Sequence, residues 1–148
     1  MNTRTDHVQF QVMLGKRLIQ WGGLSTGLGA VLMTWGSSFL RGVGSQFAGW
    51  GIINALIGWF GVRSARKMAA QPDAHTPKTQ SEARANLRRV LAVNTGLDVL
   101  YIAGGAWLSK TIDEEDQFWR GAGVGIVIQG GFLFVFDLIH ALLLRDTD

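Results

Sequence analysis

Four long stretches of this sequence are almost free of charge, and nearly every charged residue falls between them. They run Leu18–Trp35, Val43–Val62, Val90–Ser109 and Gly121–Leu144, which is 18, 20, 20 and 24 residues. The first two hold no Asp, Glu, Lys, Arg or His; the third holds Asp98, and the fourth holds Asp137 and His140. An α-helix rises 1.5 Å per residue, so about 20 residues cross a ~30 Å hydrocarbon layer. A helix of a soluble bundle shows a polar face recurring at i, i+3 and i+4, and these runs have no charged face. The expectation is an all-α, integral membrane four-helix bundle, one domain over residues 1–148, with a linker at residues 63–89.

Composition agrees with that reading. Charged residues make up 17% of the chain, against about 25% for a typical soluble domain. The chain has no cysteine, which excludes disulfides, thiolate metal sites and thiol nucleophiles. A net charge of +3 would suit a nucleic-acid partner, but the basic residues carry no aromatic or motif support, so none is expected. Their placement fits a membrane better. Arg4, Lys16, Arg17, Arg63, Arg66, Lys67, Lys78, Arg84, Arg88, Arg89 and Arg145 flank the inner side of the runs. Arg41, Lys110 and Arg120 flank the outer side, together with the acidic stretch Asp113–Asp116. By the positive-inside rule both termini and the 63–89 segment are cytoplasmic, as in a multi-pass protein of the inner membrane. Trp35, Trp107 and Trp119 fall at outer span ends and Trp21 and Trp59 near inner ends, as interfacial belts require. The first run has the outline of a signal peptide, Lys16-Arg17 before an apolar stretch. Its length and its glycines favour a retained span.

The two halves resemble each other. Arg41-Gly42-Val43-Gly44 matches Arg120-Gly121-Ala122-Gly123, and Gly51 then falls on Gly130. Gly23-Leu24 and Gly96-Leu97 match in a second register, and Gln46 with Gln129 in a third. Two hairpins that each run inward to outward and back would be parallel repeats. Between them the 63–89 segment reads as a flexible linker, helical from Ser81 onward, its basic residues facing anionic headgroups.

Glycine decides packing in such a chain. Lipid removes the hydrophobic drive between helices, so close backbone contact holds them together. Gly44, Ala48, Gly51 and Ala55 form one small-residue stripe, and Gly123 and Gly130 begin another that reaches Asp137. These stripes suit a tight bundle or the face of a homo-oligomer. The spans also carry a polar set: Asn54, Asn94, Asp98, Tyr101, Gln129, Asp137 and His140, with Gln46 nearer the outer end. Asn94, Asp98, Tyr101 and Gly105 line up within one helical face. A charged aspartate at mid-membrane costs about 2.5–3.5 kcal/mol on insertion scales, so it faces the bundle or a wet cavity. Two readings of Asp98 stand side by side. It is a protonatable site, or it is interhelical glue worth about 0.6–2 kcal/mol.

His140 is the one span histidine, so a bis-histidine haem would need a second chain. No Cys/His pattern makes a zinc site, and the Asp113–Asp116 run lacks calcium-loop spacing. No phosphate-binding loop or nucleophile motif is present. The chain is expected to use no cofactor and to have no enzymatic activity. Its expected role is a compact helical binding or accessory subunit, with the lipid bilayer and a homo-oligomer or larger membrane complex as partners. The alternative is a small proton-linked transporter or channel using Asp98 and its polar neighbours.

Overall fold

The computed structural model describes residues 7–145. Among these residues it is all helical, with no strand: α1 (His7–Trp35), α2 (Ser38–Ala69), α3 (Pro77–Thr111) and α4 (Gln117–Arg145). Arg4 lies outside the described residues. Each apolar run falls inside one helix, and the helices extend beyond the runs. The break α1–α2 is short, with Ser37 as N-cap of α2. The acidic stretch 113–116 lies in the exposed turn between α3 and α4.

The 63–89 segment differs from its reading as a flexible linker. Helix α2 continues to Ala69 and α3 begins at Pro77, so the non-helical part is residues 70–76. The physical reason is local. Ala, Arg, Lys and Met are good helix formers, and nothing after Val62 interrupts α2 before Gln71-Pro72. Thr76 then caps α3, accepting from the Thr79 amide, with Pro77 at the first helical position, where its missing N–H costs nothing. The helix start is therefore Thr76-Pro77 and not Ser81.

Two helices, α3 and α4 up to Leu144, are long and apolar enough to cross a membrane by length and composition. Their apolar windows are 17% and 22% buried inside the molecule, whereas the core helix of a soluble protein is mostly buried. Helices α1 and α2 dilute their apolar content with glycine, serine and threonine, which lowers their mean hydropathy.

The chain folds as two antiparallel hairpins, α1 on α2 and α3 on α4, joined mainly through α2 against α4. Glycines set the α1–α2 distance. Gly15, Gly22 and Gly29 of α1 face Gly58, Gly51 and Gly44 of α2, seven residues apart on both helices. A β-carbon built at Gly22 would lie 2.5 Å from the Gly51 carbonyl oxygen, and one at Gly15 2.7 Å from that of Gly58. Ala48 packs against Gly29 and Ala55 against Gly22. The α3–α4 hairpin keeps the geometry and changes the residues. The buried positions of α3 are Leu91, Asp98 and Gly105, again seven apart. A β-carbon built at Gly105 would lie 2.7 Å from the Gly123 carbonyl oxygen, and Gly130 lies over Ile102, Tyr101 and the Asp98 carbonyl.

The hairpins join by a reciprocal contact. A β-carbon on Gly42 would overlap the Phe118 carbonyl, and one on Gly121 would overlap the Phe39 carbonyl. A β-carbon built at Gly125 would lie 2.8 Å from the Gln46 side chain, which the glycine leaves room for. At the opposite end Phe10, Leu91 and Leu144 form a small apolar plug. Gly23 and Gly96, which suggested a second repeat register, both face open space, as does Gly104.

Candidate functional site

Many of the buried side chains among the described residues are polar. Ser25, Asn54, Asp98, Gln129, Asp137 and His140 are each at most 8% exposed, while Leu24, Ile52, Leu56, Phe60, Leu100 and Val135 are at least half exposed. Buried polar groups together with so many exposed large apolar side chains depart from the pattern expected in water.

Gln129 sits deepest. Its Nε2 donates to Ser25 Oγ at 2.7 Å, and its Oε1 accepts from Trp21 Nε1 at 3.3 Å. Ser25 Oγ donates in turn to the Phe47 carbonyl at 2.9 Å. One chain of bonds therefore ties α4 to α1 and α1 to α2. Trp21 also stacks on Phe132, ring centroids 3.7 Å apart. Two turns toward the inner end, Arg17 Nη1 donates to His140 Nε2 at 3.1 Å, and His140 Nδ1 donates to the Phe136 carbonyl at 2.6 Å. Both ring nitrogens are engaged within the protein, and the pairing assigns the Nδ1–H tautomer.

On α3 the polar residues part company. Asp98 is 4% exposed, whereas Tyr101 is 44% exposed and turns its ring edge-on to Trp50 at 4.9 Å. The buried stripe is Leu91–Asp98–Gly105, and Tyr101 lies at its exposed margin. Asn94 is half-buried; its side chain lies beside the Asp137 carboxyl, which also feels the charge of Asp98. Asn54 Nδ2 and Asp98 Oδ2 are buried without a partner, a costly state for polar atoms. The crevice where α2, α3 and α4 meet, lined by Trp50, Tyr101, Ile126, Gln129, Gly130 and Leu133, has no room for a water molecule.

The site thus divides into a satisfied mid-depth chain (Trp21, Ser25, Gln129), an inner set (Arg17, Asn94, Asp137, His140), and two buried orphan atoms on Asn54 and Asp98. Sequence reasoning missed Arg17, Trp21 and Ser25 as partners, although their spacing of four places them on one face of α1. Among the described residues no three His, Asp or Glu side chains converge as metal ligands.

The family model for DUF6992, described as a family of unknown function, matches residues 17–138. The chain belongs to this family. The matched segment of the DUF6992 protein takes in all four helices, with Ser25, Asn54, Asp98, Gln129 and Asp137, and stops short of His140. No curated protein and no solved structure matches the chain.

Proposed function

We propose that this protein is a four-span membrane protein whose helices form a closed, non-enzymatic bundle, a binding or accessory subunit with both termini on the cytoplasmic face of the inner membrane. The observation that carries this is the extensive exposed apolar surface around an interior that holds polar side chains. Polar side chains bond to one another inside, and Leu, Ile, Val and Phe cover the outside of all four helices, which suits hydrocarbon and not water. Lys16, Arg17, Arg63, Arg66 and Lys67 gather at one end and the acidic turn at the other, which supports that orientation. The glycine ladders and the crevice too tight for water favour a packed interior over a conduit. The hairpins also read as parallel repeats. Gly44, Gly51 and Gly58 of α2 take the places of Gly123, Gly130 and Asp137 in α4, and the Gly42–Phe118 and Gly121–Phe39 contacts exchange under a two-fold axis along the membrane normal.

A second reading, a proton-linked carrier working as an oligomer, is favoured by one observation: Asp98 Oδ2 and Asn54 Nδ2 are buried and unpartnered. Asp98→Asn separates the two. Reconstituted in vesicles, the variant of a packed subunit keeps its fold, and neither protein carries protons. Proton flux in the wild type that Asp98→Asn abolishes would replace the subunit reading with the carrier. A cytoplasmic reporter at the C terminus tests the orientation.

A further inference from the structure

At the basic end of the α1–α2 seam, on the outer side of the bundle, lies a groove of about 480 Å³ lined by Lys16, Ile19, Trp59, Val62, Arg63 and Arg66. That volume is in the range of small-molecule sites. Three of its six lining residues are cations and none is acidic. The cations come from two helices. Lys16 follows Gly15 by one residue and Trp59 follows Gly58 by one, and in an antiparallel pair these positions fall on the same side of the contact. The guanidinium of Arg63 stands 5.8 Å from the Trp59 ring centroid, within cation–π range, which holds it over the groove instead of letting it extend into water. Above the cations the same face turns apolar. Ile52 and Leu56 precede Trp59 on its stripe and are 53% and 50% exposed. On α1, Gly23 follows Lys16 by seven residues and has open space where a side chain would stand. Gly23, on the side of the contact that also carries the exposed Ile52 and Leu56, leaves space for an acyl chain above the cations.

We propose that this seam is a binding site for an anionic glycerophospholipid of the inner leaflet. Lys16, Arg63 and Arg66 hold the headgroup phosphate, and one acyl chain lies along Ile52, Leu56 and Gly23. Arginine's planar fork matches phosphate oxygens, and Lys16 snorkels its stem along Ile19 to reach the same point. The site differs from diffuse attraction of a basic loop to a charged surface, because it names three cations and the space at Gly23. It rests on the membrane placement proposed above.

The test uses the full chain purified in a mild non-ionic detergent. It is titrated with phosphatidylglycerol or phosphatidylcholine, and bound lipid is counted by native mass spectrometry. Wild type is expected to retain phosphatidylglycerol in preference. K16Q/R63Q/R66Q is expected to bind it at least about tenfold more weakly, and R66Q alone to fall between. The charge-matched control K67Q/K78Q/R89Q keeps wild-type binding. All six side chains are exposed, and a thermal melt of each variant checks the fold. Equal loss in groove and control variants, or equal binding of the two lipids by wild type, overturns the proposal. So does displacement of the lipid by millimolar inorganic phosphate, which would make the site one for a free anion. A chain that enters the soluble fraction without detergent would instead defeat the membrane placement itself.

Discussion

The two hairpins share a geometry and differ in what they place on it. In α1–α2 every rung of the ladder is glycine against glycine: Gly15 with Gly58, Gly22 with Gly51, Gly29 with Gly44. In α3–α4 the outer rung, Gly105 with Gly123, is the same, but the next sets Asp98 opposite Gly130, and Leu91 and Asp137 occupy the inner positions. The first hairpin is held by backbone approach, with the Ser25 Oγ bond to the Phe47 carbonyl crossing it. The second gives up that approach toward Leu91 and gains two buried carboxyl groups, Asp98 and Asp137, with the Asp98 charge felt at Asp137. A glycine rung has no polar group to satisfy, while an aspartate rung needs a partner. The difference explains why the unpartnered carboxylate atom lies in α3–α4 and why the satisfied hydrogen-bond chain, Gln129 to Ser25 to Phe47, runs back into α1–α2.

Exchanging rungs breaks this comparison most severely. Gly22→Asp puts a carboxylate where a β-carbon alone would lie 2.5 Å from the Gly51 carbonyl and 2.6 Å from the Ala55 amide. The backbone cannot yield there, and a buried unpaired charge adds several kcal/mol. The expected outcome is no folded, detergent-stable protein by size-exclusion chromatography. Asp98→Gly, the reverse exchange, is expected to fold, since it converts the rung to the kind already present in α1–α2. A folded Gly22→Asp protein would show that the ladder spacing is not fixed by glycine.

Next in size is the joint between the hairpins. Gly42→Ala and Gly121→Ala each drive a methyl into a carbonyl of the facing helix, and overpacking of that kind costs about 1–3 kcal/mol. Because the contact is reciprocal, the two substitutions are expected to lower the thermal midpoint by similar amounts. A large effect at one and none at the other would count against the two-fold relation.

Gln129→Leu tests the bond chain that crosses between hairpins. It strips Trp21 Nε1 and Ser25 Oγ of their partner. Interhelical hydrogen bonds in membrane proteins average about 0.6 kcal/mol, with a maximum near 1.7, so a loss of about 1–2 kcal/mol is expected in denaturant unfolding. Asp98→Asn is expected to cost less, since Oδ2 has no protein partner to lose.

How far the sequence foretold this molecule follows from the same contrast. The helices were legible because each apolar run is long and uniform. Their ends were not, since Arg63, Arg66 and Lys67 read as linker charge although their helix propensity carries α2 to Ala69. Asp98 and Gln129 were legible as polar residues inside apolar runs. Ser25 was not, because a hydroxyl in a helix commonly bonds its own backbone, as Thr26 does to Gly22, Thr34 to Ala30 and Thr95 to Leu91. Its sequence neighbours do not reveal that it instead reaches Phe47 on another helix. Nor does spacing alone separate Tyr101 from Asp98. They are three residues apart, about 60° around the helix, and that angle moves a side chain from the contact to its margin.

The smallest expected effect, at Gly104, lies beside a large one in one dipeptide of α3. Gly104 and Gly105 are adjacent and identical in kind, yet a β-carbon at Gly105 would meet the Gly123 carbonyl at 2.7 Å and Ile126 at 2.8 Å, while one at Gly104 meets nothing within 4 Å. Gly105→Ala should therefore destabilise by about 1–3 kcal/mol through overpacking. Gly104→Ala should be neutral or stabilise by at most about 1 kcal/mol, since alanine is the better helix former. Thermal melts of the two variants in the same detergent give a direct comparison, and equal midpoints would mean that the α3–α4 contact does not depend on which of the two glycines faces α4. A drop at Gly104 alone would place a second, unseen packing surface on the outward side of α3, where the neighbouring Leu100 and Trp107 are each 67% exposed.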